Sequence, residues 1–340
     1  MVGNEPDLFV IGGGPAGLAT AIAARRRGLR VVVADGAGPN IDKACGEGLM
    51  PDSRRAAAEL GIDLPESIGH KFRGIRFLGA TKQIKADFPD GCGIGIRRTA
   101  LHRALVRTAE DAGVELRWHT PVAGLDDTKA RWIVGADGNS SRVRRWAGLE
   151  ASLWRTRRYA YRRHFAVAPW TEYMELYWGD GCQIYVTPVG DCEVCVALIS
   201  HTPALRITEA LERRFPALNA RLAGMATTSR ERGAVTVTTR LRAVAKGNVA
   251  LIGDASGSVD AITGEGLCLI FKQATSLADA IAKGNLAGYN RAHPWLSLRP
   301  NLMGQAMLTM DRAALIRDAA LGAMSAQPWI FQKLLDLHVA

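Results

Sequence analysis

The stretch Asp7 to Gly28, DLFVIGGGPAGLATAIAARRRG, leaves few folds open to this chain. Leu8–Phe9–Val10–Ile11 is an unbroken apolar run that predicts a buried strand. Pro15 to Arg27 predicts a helix with alanines on its packing side. Pro15 suits the first helical turn, where its missing N–H has no partner to lose, and Gly28 supplies the stop. A second buried β-branched strand, LRVVVAD, ends in Asp35, eighteen residues after Gly17. Between strand and helix stand Gly12, Gly14 and Gly17. The first permits a tight turn, the second lets the backbone approach a pyrophosphate, and the third lets helix and strand pack closely. The helix N-terminus, with Pro15 and Ala16, presents free N–H groups to phosphates. Asp35, followed by Gly36, is placed to take a ribose hydroxyl. This is a dinucleotide-binding βαβ unit.

The rest of the chain is long enough to surround that unit. With 340 residues and 48% hydrophobic content it can bury a large core as two joined domains. Six cysteines, at 45, 92, 182, 192, 195 and 268, show no disulfide rhythm. The first residues carry no signal segment, so a reducing cytoplasm is the expected compartment. No apolar stretch reaches the roughly 18 residues that cross a bilayer. The net charge is +10, and arginines crowd residues 142–163. A solvated surface, attraction of anionic cofactor phosphates and peripheral contact with an anionic membrane all account for that excess. Nucleic acid is excluded as a partner, because no reader motif accompanies the arginines.

Two later segments bear on the cofactor. In RWIVGADGNSSRVRRWAG, a strand runs into the Asp137–Gly138 turn, and Ser140 or Ser141 can cap an arginine-rich helix. In NVALIGDASGSVDAITGEGLCLIFKQATSLADAI, a strand ends in Gly253–Asp254, and Gly264–Glu265–Gly266 opens a long amphipathic helix. The three segments, in this order and spacing, resemble the flavoprotein monooxygenase and geranylgeranyl reductase superfamily, with the para-hydroxybenzoate hydroxylase fold. The resemblance covers nearly the whole chain. It implies an α/β fold with an α+β insertion: a Rossmann-like FAD-binding domain, an inserted β-sheet substrate domain and C-terminal helices.

By that resemblance the cofactor is FAD, with NADH or NADPH as a transient reductant. Asp254 would bind the ribityl chain, and Asp137–Gly138 would support the pyrophosphate region. Gly264, Glu265, Gly266 and Leu267 would lie under the flavin ring. Arg98, in RRTALHRAL, matches the arginine placed near the ribityl and phosphate groups. Gly46, Val122 and Gly253 complete the expected cofactor contacts. The implied division gives residues 1–70, 93–155 and 245–299 to the FAD domain. Residues 71–92 and 156–244 form the substrate domain, and 300–340 a helical tail.

The segment DKACGEGLMP resembles the reductase branch, where a cysteine lies near flavin and substrate. Cys45 and Glu47 are therefore the candidate catalytic residues. Glu47 is an acid or base if its pocket raises its pKa, or else an ion-pair partner of Lys43 or an arginine. Three strands within YMELYWGDGCQIYVTPVGDCEVCVALIS predict a sheet with one covered face. Tyr177 and Tyr185 are its candidate substrate contacts, with core packing as the alternative. Cys192 and Cys195, three apart on a strand, point to opposite faces, and no second ligand pair exists for a metal. From Pro300 onward two helices are expected, separated near Gln327–Pro328. Their apolar residues suit a hydrophobic substrate, a membrane or a neighbouring subunit.

Departures from the family bear on the reaction. Gly257 stands where ring hydroxylases carry a histidine, Ala261 replaces a proline, and His102 stands where relatives have aspartate. The tryptophan motif of flavin halogenases is absent. The first expectation is NAD(P)H-dependent monooxygenation of a hydrophobic aromatic or polyketide-like molecule. The alternatives are reduction of carbon–carbon double bonds and electron transfer without a small-molecule product.

Overall fold

A computed structural model describes residues 5–150 and 152–339, for 152–156 the backbone only. Leu8–Ile11 pairs in parallel with Val31–Ala34 on one side and Trp132–Gly135 on the other. Glu115–Arg117 and Val249–Leu251 extend this array, and Ala245–Lys246 ends it antiparallel. The two strands read as unbroken apolar runs are buried at every position, because both faces of the sheet are covered. Leu8, Val10, Val31 and Val33 enter one core with Leu18, Leu105 and Phe271. Phe9, Ile11, Val32 and Ala34 enter another with Val143 and Leu251. Helices Pro15–Arg25, Arg98–Asp111 and Gly266–Ala282 supply the first cover.

A second sheet has eight strands. Its order is Gly257–Ser258, Arg232–Leu241, Ser152–Phe165, Glu193–Ser200, Cys182–Gly190, Tyr173–Gly179, Gly74–Leu78 and Gln83–Asp87. Every pairing is antiparallel except Tyr173–Gly179 with Gly74–Leu78. Period-two alternation divides its side chains between two cores. Met174, Leu176, Trp178 and Tyr185 pack under the C-terminal helices. Tyr177, Ile184, Val186 and Val196 pack under helices Ile207–Arg214 and Pro216–Leu222. The architecture is the expected α/β fold with a β-rich insertion.

The tail differs from its sequence reading. Three helices, Ala287–Arg312, Ala314–Ala326 and Pro328–Val339, replace the two expected after Pro300. The first begins before residue 300 and runs through Pro294 and Pro300. A proline removes one helical hydrogen bond, and burial of Tyr289, Pro300, Met307 and Leu308 on the core side offsets that loss. The added break falls at Ala313, where the backbone turns extended. On the outer side of these helices Trp295, Leu302, Leu315, Trp329 and Leu337 are exposed.

The arginine-rich stretch is not a uniformly solvated face. Arg158 and Arg162 are among the largest fully buried side chains. Arg158 pairs with Asp260 at 3.0 Å and Asp311 at 3.4 Å, and His201 reaches Asp311 from outside at 2.9 Å. A buried guanidinium keeps its charge only with such partners. The cluster ties the large sheet to helix Ala287–Arg312 and to the loop before Gly264.

Candidate functional site

The glycine turn opens onto a groove of about 390 Å³. Each glycine there has its own reason. A Cβ on Gly12, at φ +115°, would sit 2.5 Å from the Ala136 carbonyl oxygen. One on Gly17 would strike the Gly12 carbonyl at 1.9 Å, so helix and strand could not close. One on Gly14 meets nothing within 4 Å and would project into open space. Asp35 lines the groove and braces the turn, accepting from the Gly13 N–H at 2.6 Å and the Ala37 N–H at 2.7 Å. A carboxylate oxygen has a second lone pair, so both remain able to accept a ribose hydroxyl. Buried His102 donates through Nε2 to the Gly13 carbonyl at 2.8 Å. Burial lowers its pKa, which keeps it a neutral strut where relatives have aspartate.

Asp137, Gly138, Gly36 and Val122 also line the groove, with Pro15 and Ala16. One Asp137 oxygen caps the helix Arg142–Trp146, accepting from the N–H groups of Arg142 (2.7 Å) and Val143 (3.2 Å). The other is buried and has no partner among the described residues. Ser141 takes the Arg144 N–H at 2.9 Å, the cap expected of Ser140 or Ser141. Gly253 acts one step back: at φ +60° it turns the chain, and its N–H donates to Gln273.

A second space, of about 230 Å³, continues from the groove. Lys43, Arg98, Asp254 and Ile270 line both. Asp254 and Lys43 form an ion pair at 2.9 Å. Arg98 begins its helix at this junction, and its buried Nε has no partner among the described residues. The chamber beyond is walled by Cys45, Gly46, Met50, Met174, Tyr185 and Val237, with Gly264, Gly266 and Leu267 on the loop side. No atom lies within 4 Å of a Cβ built on Gly264 or Gly266, so a flat ring can approach that backbone. Helix Gly266–Ala282 directs its unpaired N–H groups toward the same space. An unpartnered guanidinium, an unpartnered carboxylate oxygen and open-faced glycines along one continuous groove fit an FAD: phosphates at the glycine turn, flavin in the chamber.

Four expected contacts are placed differently or more narrowly. Glu265 is buried and turned away from the chamber, facing Asp52, Lys272, Arg299 and His338. Burial pushes its pKa up to about 8 and that of His338 down to about 4, so a neutral acid faces a neutral imidazole. Tyr177 lies on the far face of the large sheet against Phe215, because strand alternation sends it opposite to Leu176 and Trp178. Tyr185 does line the chamber, and its hydroxyl donates to the Ile262 carbonyl. Glu47 borders the chamber but is engaged beneath it. It accepts from the Arg98 N–H at 2.9 Å and from His164 Nε2 at 2.6 Å, with Arg162 at 3.6 Å.

His164 and Arg162 escaped sequence reasoning: they lie on a long strand with no motif around them. Arg162 also binds Asp42. The ligand atoms of Glu47, His164 and Cys195 lie within 4.8 Å of one another. Arg162 supplies the positive charge there, and burial raises the Cys195 pKa well above its ordinary value, so the cluster is a charge-balanced hydrogen-bonded one. Cys192 is exposed in the turn before the strand and Cys195 is buried, so the two do not act as a pair.

Residues 7–245 match the FAD binding domain family. The chain is 27% identical to a menaquinone reductase of Mycobacterium tuberculosis, covering 93% of this chain and 85% of that protein. It is 28% identical to a digeranylgeranylglycerophospholipid reductase of Methanosarcina acetivorans, over 77% and 71%. Among solved structures, a geranylgeranyl bacteriochlorophyll reductase-like protein from Thermoplasma acidophilum superposes with a TM-score of 0.76 at 20% identity, covering 91% of this chain and 90% of that one. A probable FAD-dependent monooxygenase from Pseudomonas aeruginosa gives 0.74 at 23%, over 94% and 100%. The glycine-turn groove, its chamber and these matches agree: the chain belongs to the FAD binding domain family and is an FAD-dependent oxidoreductase.

Proposed function

We propose that the protein saturates carbon–carbon double bonds of a polyprenyl substrate, the reaction ranked second on the sequence. The observation that carries this reading is the pair of reductases matched over most of the chain, both named for prenylated lipids or quinones. The oxygenating reading rests on likeness of fold with solved structures below 25% identity. It rests also on a 3-(3-hydroxy-phenyl)propionate/3-hydroxycinnamic acid hydroxylase of Mycobacterium avium, matched at 26% over 43% of this chain, where the two reductases match over 93% and 77%. The chamber supports reduction further. Met50, Met174, Val237 and Leu267 give it apolar walls, and Cys45 stands on its rim. Methionine side chains adapt to a chain without fixed shape.

FAD supplies hydride chemistry when bound. The chain's own residues would do the rest. The glycine turn and Arg98 hold the phosphates, and Asp254 with Lys43 takes the polyol. The apolar walls exclude water from the reacting carbons. Cys45 touches substrate in this reading, while Glu47, held by His164 and Arg162, positions the loop that carries Cys45. NADH or NADPH is the electron source. The exposed Trp295, Leu302, Leu315 and Trp329 fit peripheral contact with the membrane that would hold such a substrate.

Anaerobic incubation of the FAD-loaded protein with NADPH and a geranylgeranyl compound tests the reading. The expected product gains two hydrogens per reduced bond, and Cys45→Ala lowers its yield at least tenfold. Product that forms only with oxygen present, carrying an oxygen-18 atom from dioxygen, would restore the monooxygenase reading.

A further inference from the structure

Behind the loop Gly264–Gly266, on the side away from the chamber, four helices bring charged and titratable side chains together. Glu265 directly precedes helix Gly266–Ala282, and its carbonyl accepts from the Leu269 N–H at 3.0 Å. The residue is only 1% exposed. Asp52, on helix Pro51–Glu59, accepts from the Cys268 thiol at 2.9 Å and lies 3.6 Å from Lys272 and 3.7 Å from Arg299. Arg299, on helix Ala287–Arg312, also reaches one Glu265 oxygen at 3.9 Å. His338, near the end of helix Pro328–Val339, donates through Nε2 to the Thr263 carbonyl at 3.2 Å. Lys272 and Arg299, each about a third exposed, form the side of the group that meets solvent.

The bond to Thr263 fixes the imidazole tautomer. With a hydrogen on Nε2, the Nδ1 of a neutral ring is an acceptor. Nδ1 faces the second Glu265 oxygen at 3.5 Å, and neither buried atom has another partner among the described residues. Two acceptors left facing each other in a buried site are costly, and one proton between them satisfies both. Burial pushes the Glu265 carboxyl up to about 8 and the His338 imidazole down to about 4, so that proton sits on Glu265. It also decides the charge behind the loop. With Glu265 protonated, the cations Lys272 and Arg299 outnumber the single carboxylate of Asp52; with Glu265 ionised, the charges cancel. An ionised Glu265 would in addition offset the positive N-terminal end of helix Gly266–Ala282.

We infer that Glu265 and His338 form a proton-holding site coupled to the flavin, one that keeps the charge behind the loop positive whenever the flavin is reduced. A flavin that has taken two electrons and one proton is an anion, and in the chamber it meets the backbone of Gly264 and Gly266. The helix end and the surplus cation favour that anion, and an ionised Glu265 opposes it. The two electrons and the ring's proton come from a dihydronicotinamide, or from dithionite and water. Where Glu265 is ionised beforehand, reduction draws a second proton from solvent. That proton forms an O–H on Glu265, which donates to His338 Nδ1. Glu265 acts through the helix end and not by contact, so it is a positioning residue. The coupling rests on the FAD site alone and holds for a reductive or an oxygenating reaction.

Spectroelectrochemical titration of the FAD-loaded parent and Glu265→Gln from pH 6 to pH 10 tests the coupling without substrate. The amide holds the position neutral at every pH. The two potentials are expected to run parallel below about pH 7.5 and to diverge above about pH 8. There the parent's reduced-to-oxidised ratio falls faster by about tenfold per pH unit, or about 30 mV. Curves that stay parallel to pH 10 would overturn the coupling. Two measurements on the parent need no variant. Infrared spectra of FAD-loaded protein carrying ¹³C-glutamate, reduced minus oxidised at pH 9, are expected to show a protonated carboxyl that appears on reduction. Its absence would overturn the proton uptake. In the FAD-free protein at pH 7, ¹⁵N-histidine NMR is expected to show His338 neutral, with its hydrogen on Nε2. A doubly protonated His338 would make the pair an ion pair and overturn the proton held on Glu265.

Discussion

His164 donates through Nε2 to a carboxylate oxygen of Glu47 at 2.6 Å, across 117 positions of sequence. The other Glu47 oxygen accepts the Arg98 N–H at 2.9 Å. One buried carboxylate thus joins the cysteine-bearing loop, the large sheet and the helix that begins at Arg98. Removing it takes the acceptor from buried His164 Nε2 and leaves Arg162 with Asp42 as its one carboxylate among the described residues. Glu47→Ala is expected to cost about 3–5 kcal/mol, and Glu47→Gln, which keeps the shape and the Arg98 contact, about 1–3 kcal/mol. Urea unfolding of the two variants beside the parent measures both. A loss below about 1 kcal/mol for Glu47→Ala would show that the network is not structural.

The glycine turn separates folding from binding. At Gly14 the backbone is extended, with φ −73° and ψ 179°, and an added Cβ meets only open space. Gly14→Ala is therefore expected to fold within about 1 kcal/mol of the parent and to bind FAD at least tenfold more weakly. At Gly12, with φ +115° and a carbonyl oxygen 2.5 Å from the added Cβ, alanine should destabilise the protein itself. Melting temperatures and bound flavin per chain distinguish the two. Equal flavin content in Gly14→Ala would mean that the cofactor does not approach this backbone.

Arg98 is placed by its backbone and used through its side chain. Its N–H is held by Glu47, while its buried Nε has no partner among the described residues. Arg98→Met is expected to keep the fold and to weaken FAD about tenfold or more, the value of a charge-assisted hydrogen bond to phosphate. Isothermal titration with FAD tests this, and unchanged affinity would place the phosphates elsewhere.

The pH dependence of stability follows from groups buried in their neutral forms. His293 and His338 are held down to about 4 by burial, and His102 is also lowered. The unfolded chain binds their protons up to about pH 6.5, so stability rises with pH across that window. Glu265 opposes them. Its pKa is raised to about 8, so its contribution is complete below about 4.5 and lost as pH rises to 8. With the histidines in the majority, stability should climb to near pH 6.5. It should then fall by up to about 1.4 kcal/mol per pH unit toward pH 8. In Glu265→Gln the fall above pH 6.5 should vanish. A melting series from pH 5 to pH 8.5 measures it, and a parent without any decline would contradict the neutral Glu265.

The parts of this site that were legible in the sequence are local ones. The strand, three glycines, Pro15 and Asp35 fall within about thirty residues, and each does its work on near neighbours. The helix cap at Ser141 and the open glycines at 264 and 266 are of the same kind. What escaped is set by strand register between distant segments. The pairing of Glu47 with His164, and of Arg158 with Asp260 and Asp311, follows from where the large sheet lies over the loops. Alternation divides a strand's side chains between two faces but does not say which face carries the cavity, so Tyr177 and Tyr185 are equal candidates in the sequence. The family resemblance puts Glu265 under the flavin together with Gly264, Gly266 and Leu267; on a tight turn adjacent side chains diverge, and Glu265 faces Arg299 and His338 instead.

Single-turnover spectroscopy without oxygen separates reduction of a polyprenyl substrate from its oxygenation. The FAD-loaded protein is reduced stoichiometrically and mixed anaerobically with a geranylgeranyl substrate. The oxidised flavin's visible band is expected to return at a rate set by substrate concentration, with one double bond saturated per flavin. A flavin that stays reduced until air is admitted, then yields an oxygenated product, would contradict it.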